Sequence, residues 1–528
     1  MQCFLANSII RIFPNKFYEN LNFYKIYVAK NETLSYQVCI YNDKTQPIEV
    51  EIDIKSNLKS IIKLEELIPA EKHTADTDIK ELDGVGQIPT FAPDPLIDTN
   101  KVTINPFSTR CFFVKKIVPK NINSKEYKDT VIIKTSEEKQ KLECPYFVSD
   151  FTIENKKQIK SLYWFYADAL CDYYNTKPFS SEFWNICEKY MTDYSEHGNN
   201  IIYLPLFTPP LDGIKRPTQL LNVKKIEKDK YEFDFKNVTK WIKLANKCNI
   251  FEFECVHLFT QWGCAHPIRI YEDTENENSL LFDPESSATG NEYKIFLQQF
   301  LTALKAYTEE MGIYDKIHYH MSDEPHGDDQ LANYKLARNM LKEIAPWVKI
   351  MDALSDTAFV SEAGVDMPIA SIGTANNFLE KNIPHWVYFC CGPRGEYINN
   401  FIDTPLWKQR MLGIAMYKLN AIGFLFWGYN YWYKMGTREI IDPYRENCAD
   451  KYPEIPMGDS FVVYPSAEGP VPSIRWEVYA EALQDFDLLS NLNINKKSEL
   501  LEEITSYKNF PRDEYFILKL REKLLKNQ

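Results

Sequence analysis

Short apolar runs alternate with amphipathic segments along most of this chain, and this alternation limits the fold more than any other feature. Eight runs have the length and the β-branched, aromatic composition of strands, at 161–168, 201–207, 250–259, 316–322, 349–354, 367–372, 386–391 and 422–427. Helical spacing follows in segments that include 181–197, 235–247, 291–311, 329–344 and 475–489. Eight strand–helix units over about 330 residues predict a (β/α)8 TIM barrel with enlarged loops. An open doubly wound sheet is the alternative, but no Gly-x-Gly-x-x-Gly or P-loop sequence supports a nucleotide-binding version.

The N-terminal part, up to about residue 150, shows the period-two alternation of strands instead. Segments 24–28, 34–40, 48–54 and 130–134 are alternating or β-branched, with polar turns between them. Short strands with one polar face predict an antiparallel sandwich, and the Pro- and Asp-rich stretch 88–98 predicts a long loop. The predicted fold class is therefore multidomain, β followed by α/β. The predicted parts are a β-sandwich accessory domain at 1–155, a catalytic barrel at 156–492 and a charged helical extension on the outside at 493–528.

Length and charge exclude several classes of protein. At 528 residues the chain exceeds one ordinary domain, and its net charge of −13 disfavours nucleic acid or a membrane surface as a partner. No apolar run approaches the ~20 residues of a membrane span, and residues 1–8 lack the features of a signal peptide. We therefore expect a cytoplasmic protein whose 12 cysteines, with Cys390-Cys391 as the only close pair, are reduced.

The fourth predicted strand ends in a pair of acids, and the C-terminal ends of strands are where a TIM barrel carries its chemistry. Residues 316–322 are followed directly by Asp323, Glu324 and Pro325. Strand alternation would send the two carboxylates to different sides, which suggests two acids with two different roles. An arbitrary Asp-Glu pair is usually a solvated helix cap, but the position of this one favours chemistry.

The other strand ends carry acids, aromatics and amides, with few basic groups. Phosphate sites need Arg, Lys or helix N-termini, whereas carboxylates among aromatic rings suit a glycosidase. His257, His318 and His320 could suggest a metal, but no carboxylate–histidine helix motif accompanies them, and we predict neither metal nor cofactor. Asp352, at the end of the fifth strand, is open between a second carboxylate and a binder of substrate hydroxyls. The candidate substrate-binding residues are Asp168, His257, Gln261, Trp262, Tyr388, Tyr397, Trp427, Tyr429, Asn430 and Trp432.

The seventh predicted strand carries no acid, which bears on the mechanism. A retaining glycosidase ordinarily needs a nucleophile ~5 Å across the bond from its acid, and an inverting enzyme needs a base further away. Segment 385–391 has no carboxylate, and Glu396 follows only in the loop. An adjacent acid pair without such a partner fits substrate-assisted cleavage, in which a 2-acetamido group on the sugar is the nucleophile. Glu324 would then protonate the leaving oxygen, and Asp323 would hold the acetamido N–H.

Several sequence motifs between residues 160 and 490 form an ordered series. They are Trp164-Phe165 with Asp168, Asp172-Tyr173-Tyr174, Leu206-Phe207-Thr208-Pro209-Pro210-Leu211-Asp212, His257-Leu258-Phe259-Thr260-Gln261-Trp262-Gly263, Ser322-Asp323-Glu324-Pro325, Gly423-Phe424-Leu425-Phe426-Trp427-Gly428-Tyr429-Asn430, Gly458-Asp459, Tyr464-Pro465 and Ser473-Ile474-Arg475. This series resembles glycoside hydrolase family 123, including a C-terminal part often labelled only as uncharacterised. Tyr166 departs from the expected pattern, in which a His stands beside the first-strand acid.

The resemblance implies an N-terminal β-sandwich, a (β/α)8 barrel and exo-acting β-N-acetylgalactosaminidase activity by substrate-assisted retention. It also implies that Asp323 and Glu324 have the roles given above. The residues alone support a carbohydrate-active barrel, and the particular sugar rests on the resemblance. The expected partner is therefore a glycan with a terminal β-linked 2-acetamido sugar, N-acetylgalactosamine first.

Within this hypothesis, the remaining candidates receive specific contacts. The acetamido oxygen is assigned to Tyr388 or Tyr397, the sugar face to Trp262, Trp427 and Trp432, and the hydroxyls to Asp168, His257 and Asn430. One alternative is a hydrolase of another 2-acetamido sugar or of an unrelated glycoside. A second alternative is a catalytically silent carbohydrate-binding barrel, against which the intact acid pair speaks, although a fold alone does not give a function.

Overall fold

The computed structural model describes residues 1–69, 91–208, 214–449 and 455–526. Residues 88–90 of the predicted loop lie outside the described residues, as does the Pro209-Pro210-Leu211-Asp212 part of one motif. Within the described ranges, no helix combines the length and the apolar character that crossing a membrane requires.

Ten described strands make up the N-terminal part of the chain. They are β1 Gln2–Asn7, β2 Ile26–Lys30, β3 Thr33–Tyr41, β4 Ile48–Lys55, β5 Ser60–Pro69, β6 Phe91–Ile97, β7 Lys101–Ile104, β8 Thr109–Ile117, β9 Lys125–Lys134 and β10 Lys139–Thr152. They form two five-stranded sheets, in the orders β1-β3-β8-β5-β6 and β2-β10-β9-β4-β7. The predicted antiparallel pairing is confirmed for every neighbouring pair except β2 and β10, which run parallel.

The two sheets share one core because their strands are apolar on one side. In β4, Val50 and Ile52 are buried, whereas Glu49 and Asp53 are exposed. Successive side chains of a strand point to opposite faces, so this alternation turns one face of the sheet inward. Buried residues from both sheets form a common apolar cluster between them.

The stretch predicted as a long loop contains a strand instead. β6 pairs antiparallel with β5, with Ile97 opposite Leu64 and Pro93 opposite Leu67. β6 is the last strand of its sheet, which is where proline is tolerated, because one side of an edge strand needs no ladder hydrogen bonds. The loop prediction was wrong because an edge strand with two prolines has the composition of a loop.

Eight strands in the rest of the chain form a nearly closed parallel barrel. The strands after β10 are β11 Lys160–Tyr163, β12 Ile201–Leu204, β13 Asn222–Glu227, β14 Lys230–Asp234, β15 Glu252–Cys255, β16 Ile317–His320, β17 Ile350–Leu354, β18 Met367–Ser371, β19 Trp386–Tyr388, β20 Gly423–Phe426, β21 Val463–Ser466 and β22 Gly469–Pro472. The barrel order is β11-β20-β19-β18-β17-β16-β15-β12, and β13–β14 and β21–β22 are separate antiparallel pairs. At the gap between β11 and β12, the Asn200 amide donates to the Ser161 carbonyl at 3.2 Å. The eight predicted strands are therefore all present.

Helices follow the barrel strands along the chain. The described helices are α1 Ala167–Tyr174, α2 Ser181–Glu196, α3 Lys236–Lys247, α4 Asn291–Glu310, α5 Gly327–Ile344, α6 Ala358–Ser361, α7 Ala375–Glu380, α8 Leu406–Lys418, α9 Ile474–Asn491 and α10 Phe516–Leu525, with 3₁₀ turns at Tyr314–Lys316 and Glu499–Leu501. Neither α1 nor the β13–β14 hairpin was predicted from the sequence. It extended the first strand to residue 168, although the chain already turns into α1 at Ala167.

A buried ion pair joins the N-terminal sheets to the barrel. Asp94 on β6 and Arg475 in the first turn of α9 are both fully buried, with Arg475 Nη2 2.9 Å from Asp94 Oδ2. Tyr464 OH donates to the same Asp94 oxygen at 2.6 Å. Arg475 also donates to the carbonyl oxygens of Gly458 at 2.7 Å and Phe461 at 3.0 Å. An N-terminal strand therefore helps to fix the loop between β20 and β21.

The C-terminal helix was predicted to pack on the outside, but it carries a buried arginine that reaches into the protein. Arg521 on α10 is buried and paired with Glu32, just before β3, and with Asp485 on α9 at 2.6 Å. Leu520 and Leu524 on the same helix are also buried. α10 is thus a second connection between the N-terminal sheets and the barrel, because its arginine faces two buried carboxylates rather than water.

Replacing Asp94 with asparagine should destabilise the protein by about 3–5 kcal/mol, because it leaves the Arg475 guanidinium buried without a countercharge. Asp98→Asn is the matched control: Asp98 follows the same strand, pairs with Lys63 at 2.8 Å and has an 81% exposed side chain, so its loss should change little. Denaturant titration of both variants measures the difference. Equal free energies of unfolding would contradict a structural role for the buried pair.

Candidate active site

A cavity opens at the C-terminal ends of the barrel strands, where α/β barrels carry their chemistry. It encloses about 600 Å³, including its open mouth. Its walls come from the ends of five barrel strands and from the loop between β20 and β21. The lining residues are Trp164, Asp323, Glu324, Ala353, Tyr388, Phe389, Cys390, Cys391, Leu425, Trp427, Met435, Ile455 and Asp459.

Asp323 and Glu324 both line this one cavity, although strand alternation predicted that they would face different sides. β16 ends at His320, so the alternation does not extend to the pair. Glu324 has a left-handed backbone, with φ of +44°, a conformation that is uncommon and strained for residues other than glycine. This turn brings two consecutive carboxyl groups into a single site.

The seventh barrel strand faces the pair with a hydroxyl group. Tyr388 is the last residue of β19, and its OH donates to Glu324 Oε1 at 2.6 Å. Burial, reinforced by the Glu324 carboxylate, raises the pKa of Tyr388 well above its ordinary value, so the phenol keeps its proton. Tyr388 is therefore a fixed hydrogen-bond donor to Glu324.

Asp323 lies deeper than its neighbour and is only 9% exposed. Burial raises the pKa of Asp323 well above its ordinary value, and Glu324, Asp352 and Glu254 shift it in the same direction. Neighbouring carboxylates resist joint ionisation in a medium of low dielectric constant. Asp323 therefore holds a proton more readily than an ordinary aspartate.

Asp352, which the sequence left open between two roles, supports the backbone below the acid pair. It is fully buried on β17, and its Oδ1 accepts from the amides of Met321 at 2.8 Å and Ser322 at 3.2 Å. Its Oδ2 accepts from the hydroxyl of Tyr334. Burial raises the pKa of Asp352 to about 8. Asp352, in the middle of β17, thus holds the two residues that lead into Asp323.

A second buried acid, Glu254 on β15, lies beneath the cavity wall. Its Oε1 is 2.7 Å from His320 Nε2 and accepts from Trp164 Nε1 at 3.1 Å. Burial raises the pKa of Glu254 to about 8 and lowers that of His320 to about 3, so burial favours the neutral form of both. Sequence reasoning missed Glu254, although an acid at an apolar strand position was a usable signal. Among the described residues, no group of three His, Cys, Asp or Glu side chains could hold a metal ion.

Tyr429, Asn430 and Trp432, predicted to contact the sugar, lie in the protein core. All three are fully buried, and none is among the cavity-lining residues. Tyr429 OH donates to Asp193 Oδ2 at 2.8 Å, and the Asn430 side chain bonds the backbone of Tyr166 in both directions. Trp432 Nε1 donates to a backbone carbonyl at 3.1 Å. Their polar atoms are used by the protein, because the chain after β20 turns inward against α1 and α2.

The third-strand loop lies at the rim and supports the acid pair from outside. The Trp262 amide donates to the Asp323 carbonyl at 2.8 Å, and the Trp262 side chain is 51% exposed. Gln261 beside it is half-buried. His257 lies below them, fully buried against the rings of Trp164 and His320 at centroid distances of 5.3 and 4.7 Å. Of these three candidates, none lines the described cavity.

Two further candidates lie outside the cavity lining. Asp168 is buried in the first turn of α1, where its Oδ1 accepts from Thr218 Oγ1 at 3.1 Å and Arg216 Nε is 3.8 Å from Oδ2. Burial raises the pKa of Asp168 to about 6. Tyr397 lies in the loop after β19, with Lys508 Nζ 5.7 Å from its ring centre. Of the two tyrosines assigned to the acetamido oxygen, only Tyr388 lines the described cavity.

Asp459 is a cavity carboxyl to which the sequence analysis gave no role. It is fully buried, and Trp427 Nε1 donates to its Oδ2 at 3.0 Å. Burial raises its pKa well above the ordinary value. Asp459 belongs to the Gly458-Asp459 motif of the sequence. It lies in a loop 32 residues after Trp427, and nothing in the sequence indicates that this loop returns to the eighth strand.

A nearly closed parallel barrel with a pair of carboxyl groups in an aromatic-lined cavity is an arrangement that serves glycoside hydrolysis. The model of the catalytic domain of glycoside hydrolase family 123 matches residues 164–492 of this chain. That match covers more than half of the sequence, and the chain belongs to this family. It is accordingly a glycoside hydrolase, as the resemblance implied.

One solved structure agrees with the fold over the whole chain. A family 123 glycoside hydrolase from Clostridium perfringens, studied for the details of glycolipid glycan hydrolysis, has a TM-score of 0.76 at 14% identity, over 100% of this chain and 97% of that chain. Exo-beta-1,4-mannosidase Op5Man5 from Opitutaceae bacterium strain TAV5 has a TM-score of 0.35 at 11% identity, over 62% and 59% of the two chains, which is too distant to support an argument. No curated protein matches the chain.

Replacing Glu254 with glutamine should flatten the dependence of stability on pH between about pH 5 and about pH 8.5. Above the ordinary pKa of 4.5, the unfolded chain loses a proton that the folded chain keeps up to about pH 8. The contribution of Glu254 is therefore complete at acid pH and is lost as the pH rises. Glutamine does not titrate, so denaturant titration at the two pH values should show a shallower fall than in the wild type.

Glu252→Gln, two residues away on the same strand, is the control, because the pKa of Glu252 is shifted in the opposite direction. Burial opposes ionisation of Glu252, but His318 and Lys160 overcome it and hold its pKa at about 2. Its contribution is thus complete above the ordinary pKa and is lost only in acid, so glutamine there should destabilise the protein at both pH values. An unaltered pH slope in Glu254→Gln would contradict the buried, protonated state of Glu254.

Proposed function

We propose that this protein is a retaining exo-glycosidase that removes terminal β-linked N-acetylgalactosamine by substrate-assisted catalysis. One observation carries the proposal. Asp323 and Glu324 share a cavity, and the seventh strand opposes them with the Tyr388 hydroxyl and no carboxylate. The other carboxyl group of the cavity, Asp459, is bonded to Trp427 Nε1, and burial raises its pKa well above the ordinary value, which favours its neutral, non-nucleophilic form. A retaining mechanism without a protein nucleophile needs one on the substrate, and a 2-acetamido group is suitably placed on the sugar ring.

In this mechanism, Glu324 gives a proton to the glycosidic oxygen as the bond to C1 breaks. The acetamido carbonyl oxygen attacks C1 from the opposite face, which forms a cyclic oxazolinium ion on the sugar. Asp323 accepts a hydrogen bond from the acetamido N–H and stabilises the positive charge. Water then attacks C1 while Glu324 takes its proton, so the sugar leaves with the configuration it had and the acetamido group is restored.

The electrostatics of the pair support this division of roles. Burial favours the neutral form of Asp323, but an N–H donated by the acetamido group favours its charged form. Substrate binding would therefore move the proton of the pair towards Glu324, where the mechanism requires it. The developing cation stabilises the Asp323 carboxylate further, so the interaction is stronger in the transition state than in the ground state.

The comparisons support a glycan as the substrate, since the family 123 relative from Clostridium perfringens was studied for glycolipid glycan hydrolysis. A hydrolase of another 2-acetamido glycoside and a silent sugar-binding barrel stay as the alternatives.

We also propose that the barrel with its helices is a (β/α)8 TIM barrel at 156–492, between a β-sandwich at 1–155 and a helical extension at 493–528. The regular succession of strands and helices supports this division.

Aryl β-glycosides of N-acetylgalactosamine, N-acetylglucosamine and galactose should separate these possibilities. We expect turnover of 2-acetamido substrates alone, with the galacto configuration preferred, because plain galactoside lacks the internal nucleophile. Asp323→Asn and Glu324→Gln should each lower kcat by roughly 10²-fold or more, with Glu324→Gln partly spared on an activated leaving group that needs no proton. Equal turnover of the plain galactoside would exclude substrate assistance, and sugar binding without any turnover would favour the silent module.

Tyr388→Phe should lower kcat/KM roughly tenfold to a hundredfold, because it removes the hydrogen bond to the catalytic carboxyl group. Tyr397→Phe makes the same chemical change in the loop after β19, outside the cavity lining, and should leave the kinetic constants near those of the wild type. Steady-state kinetics on the preferred aryl glycoside compare the two. A larger effect at Tyr397 would mean that the tyrosine that supports catalysis comes from the loop and not from the end of β19.

A further inference from the structure

Asp459 is a third carboxyl group in the cavity, and the proposed mechanism does not use it. Trp427 Nε1 donates to its Oδ2 at 3.0 Å. Its Oδ1 is buried and has no hydrogen-bond partner among the described residues. A buried polar atom without a partner costs free energy, and native structures retain few of them without a functional reason. Because Asp459 is among the residues that line the cavity, a bound ligand could complete the hydrogen bonding of Oδ1.

The backbone on both sides of Asp459 is held firmly. Arg475 donates to the carbonyl oxygens of Gly458 and Phe461, at 2.7 and 3.0 Å. A Cβ on Gly428 would lie 2.5 Å from the Asp459 carbonyl oxygen, so the end of β20 can meet this loop only because it has a glycine there. Gly458 itself has φ of +81° and no room for a side chain. The loop is therefore a built support for the carboxyl group.

Asp459 and the acid pair belong to different walls of the same cavity. The thiol of Cys390 lies near both walls. Its hydrogen bond to Cys391 and its burial raise its pKa most, and the nearby Glu324 and Asp459 raise it further. The acid pair follows β16 and Trp427 follows β20, which lies four strands away in the barrel of eight. A pyranose with C1 and its C2 substituent at the acid pair would therefore present its opposite edge to the wall formed by Asp459 and Trp427. That edge carries the hydroxyl groups at C4 and C6.

We propose that Asp459 is a specificity-determining residue, whose Oδ1 hydrogen-bonds a sugar hydroxyl at C4 or C6 while Trp427 holds Oδ2. This inference rests on the proposed function only in placing C1 of a pyranoside at Glu324. A site built to bond a substrate hydroxyl discriminates strongly against an analogue without it, because the buried protein group is then left without a partner. Since galacto and gluco sugars differ at C4, a contact there would select between them.

The test combines Asp459→Ala with deoxy substrates, because asparagine would mimic a neutral carboxyl group. Wild type and variant are assayed on the aryl β-glycoside that the wild type hydrolyses best, and on its 4-deoxy and 6-deoxy forms. The wild type should lose about 10²-fold or more in kcat/KM on the form that lacks the contacted hydroxyl. Asp459→Ala should lose a similar factor on the parent substrate but little more on that deoxy form. Trp427→Phe, which leaves Oδ2 without its donor, should show the same pattern more weakly.

The pattern across substrates separates a sugar contact from a folding defect. Partial misfolding would lower all three rates by one factor, so a uniform loss in Asp459→Ala would overturn the proposal, as would no loss at all. Asp442→Ala is the control, because Asp442 is an exposed aspartate in the same loop after β20 and should keep the wild-type values. If the wild type preferred plain galactoside, substrate assistance would fail, but the Asp459 test would proceed on that galactoside and its deoxy forms.

Discussion

The buried guanidinium of Arg475 is the interaction on which the architecture around the cavity depends. It pairs with Asp94 from an N-terminal edge strand and donates to two carbonyls of the loop between β20 and β21. A charge so deeply buried is tolerated only when its countercharge and hydrogen-bond acceptors are all in place. The N-terminal sheets, interpreted from sequence as an accessory module, thus supply the carboxylate that fixes a wall of the candidate active site.

Beneath the cavity, buried acids with raised pKa values hold the acid pair in place. Asp352 bonds the amides that lead into Asp323, and Glu254 links His320 to Trp164. Burial raises the pKa of both acids to about 8, which favours their neutral forms. Charge that develops on a bound sugar would then be met by the cavity carboxyls rather than divided among several ionised groups below them.

The strands of the barrel were predictable because apolar runs of strand length, separated by amphipathic segments, are a strong signal. The acid pair was predictable because it directly follows such a run. Neither the left-handed turn at Glu324 nor its effect on the direction of both carboxyls has a sequence signature, since non-glycine residues adopt that conformation only when the surrounding structure holds them there. Alternation was extended past His320, and the prediction of opposite sides was wrong for that reason.

The residues after β20 show a second limit. Tyr429, Asn430 and Trp432 follow a barrel strand just as Trp427 does, and all are residue types that bind sugars. Only Trp427 lines the cavity, because the following residues turn back against α1 and α2. Asp459 could not be placed at all, because its position depends on contacts with Gly428 and Arg475 that are distant in sequence.

The central claim is that the substrate supplies its own nucleophile, and fluorination of the acetamido group tests it most directly. Fluorine withdraws electrons from the carbonyl oxygen that would attack C1, without removing any contact of the protein with the sugar ring. The measurement is kcat/KM for aryl β-glycosides whose N-acetyl group carries none, one, two or three fluorine atoms. We predict that kcat/KM falls steeply with each added fluorine. A rate that does not change along the series would contradict it and would require a nucleophile or base from the protein.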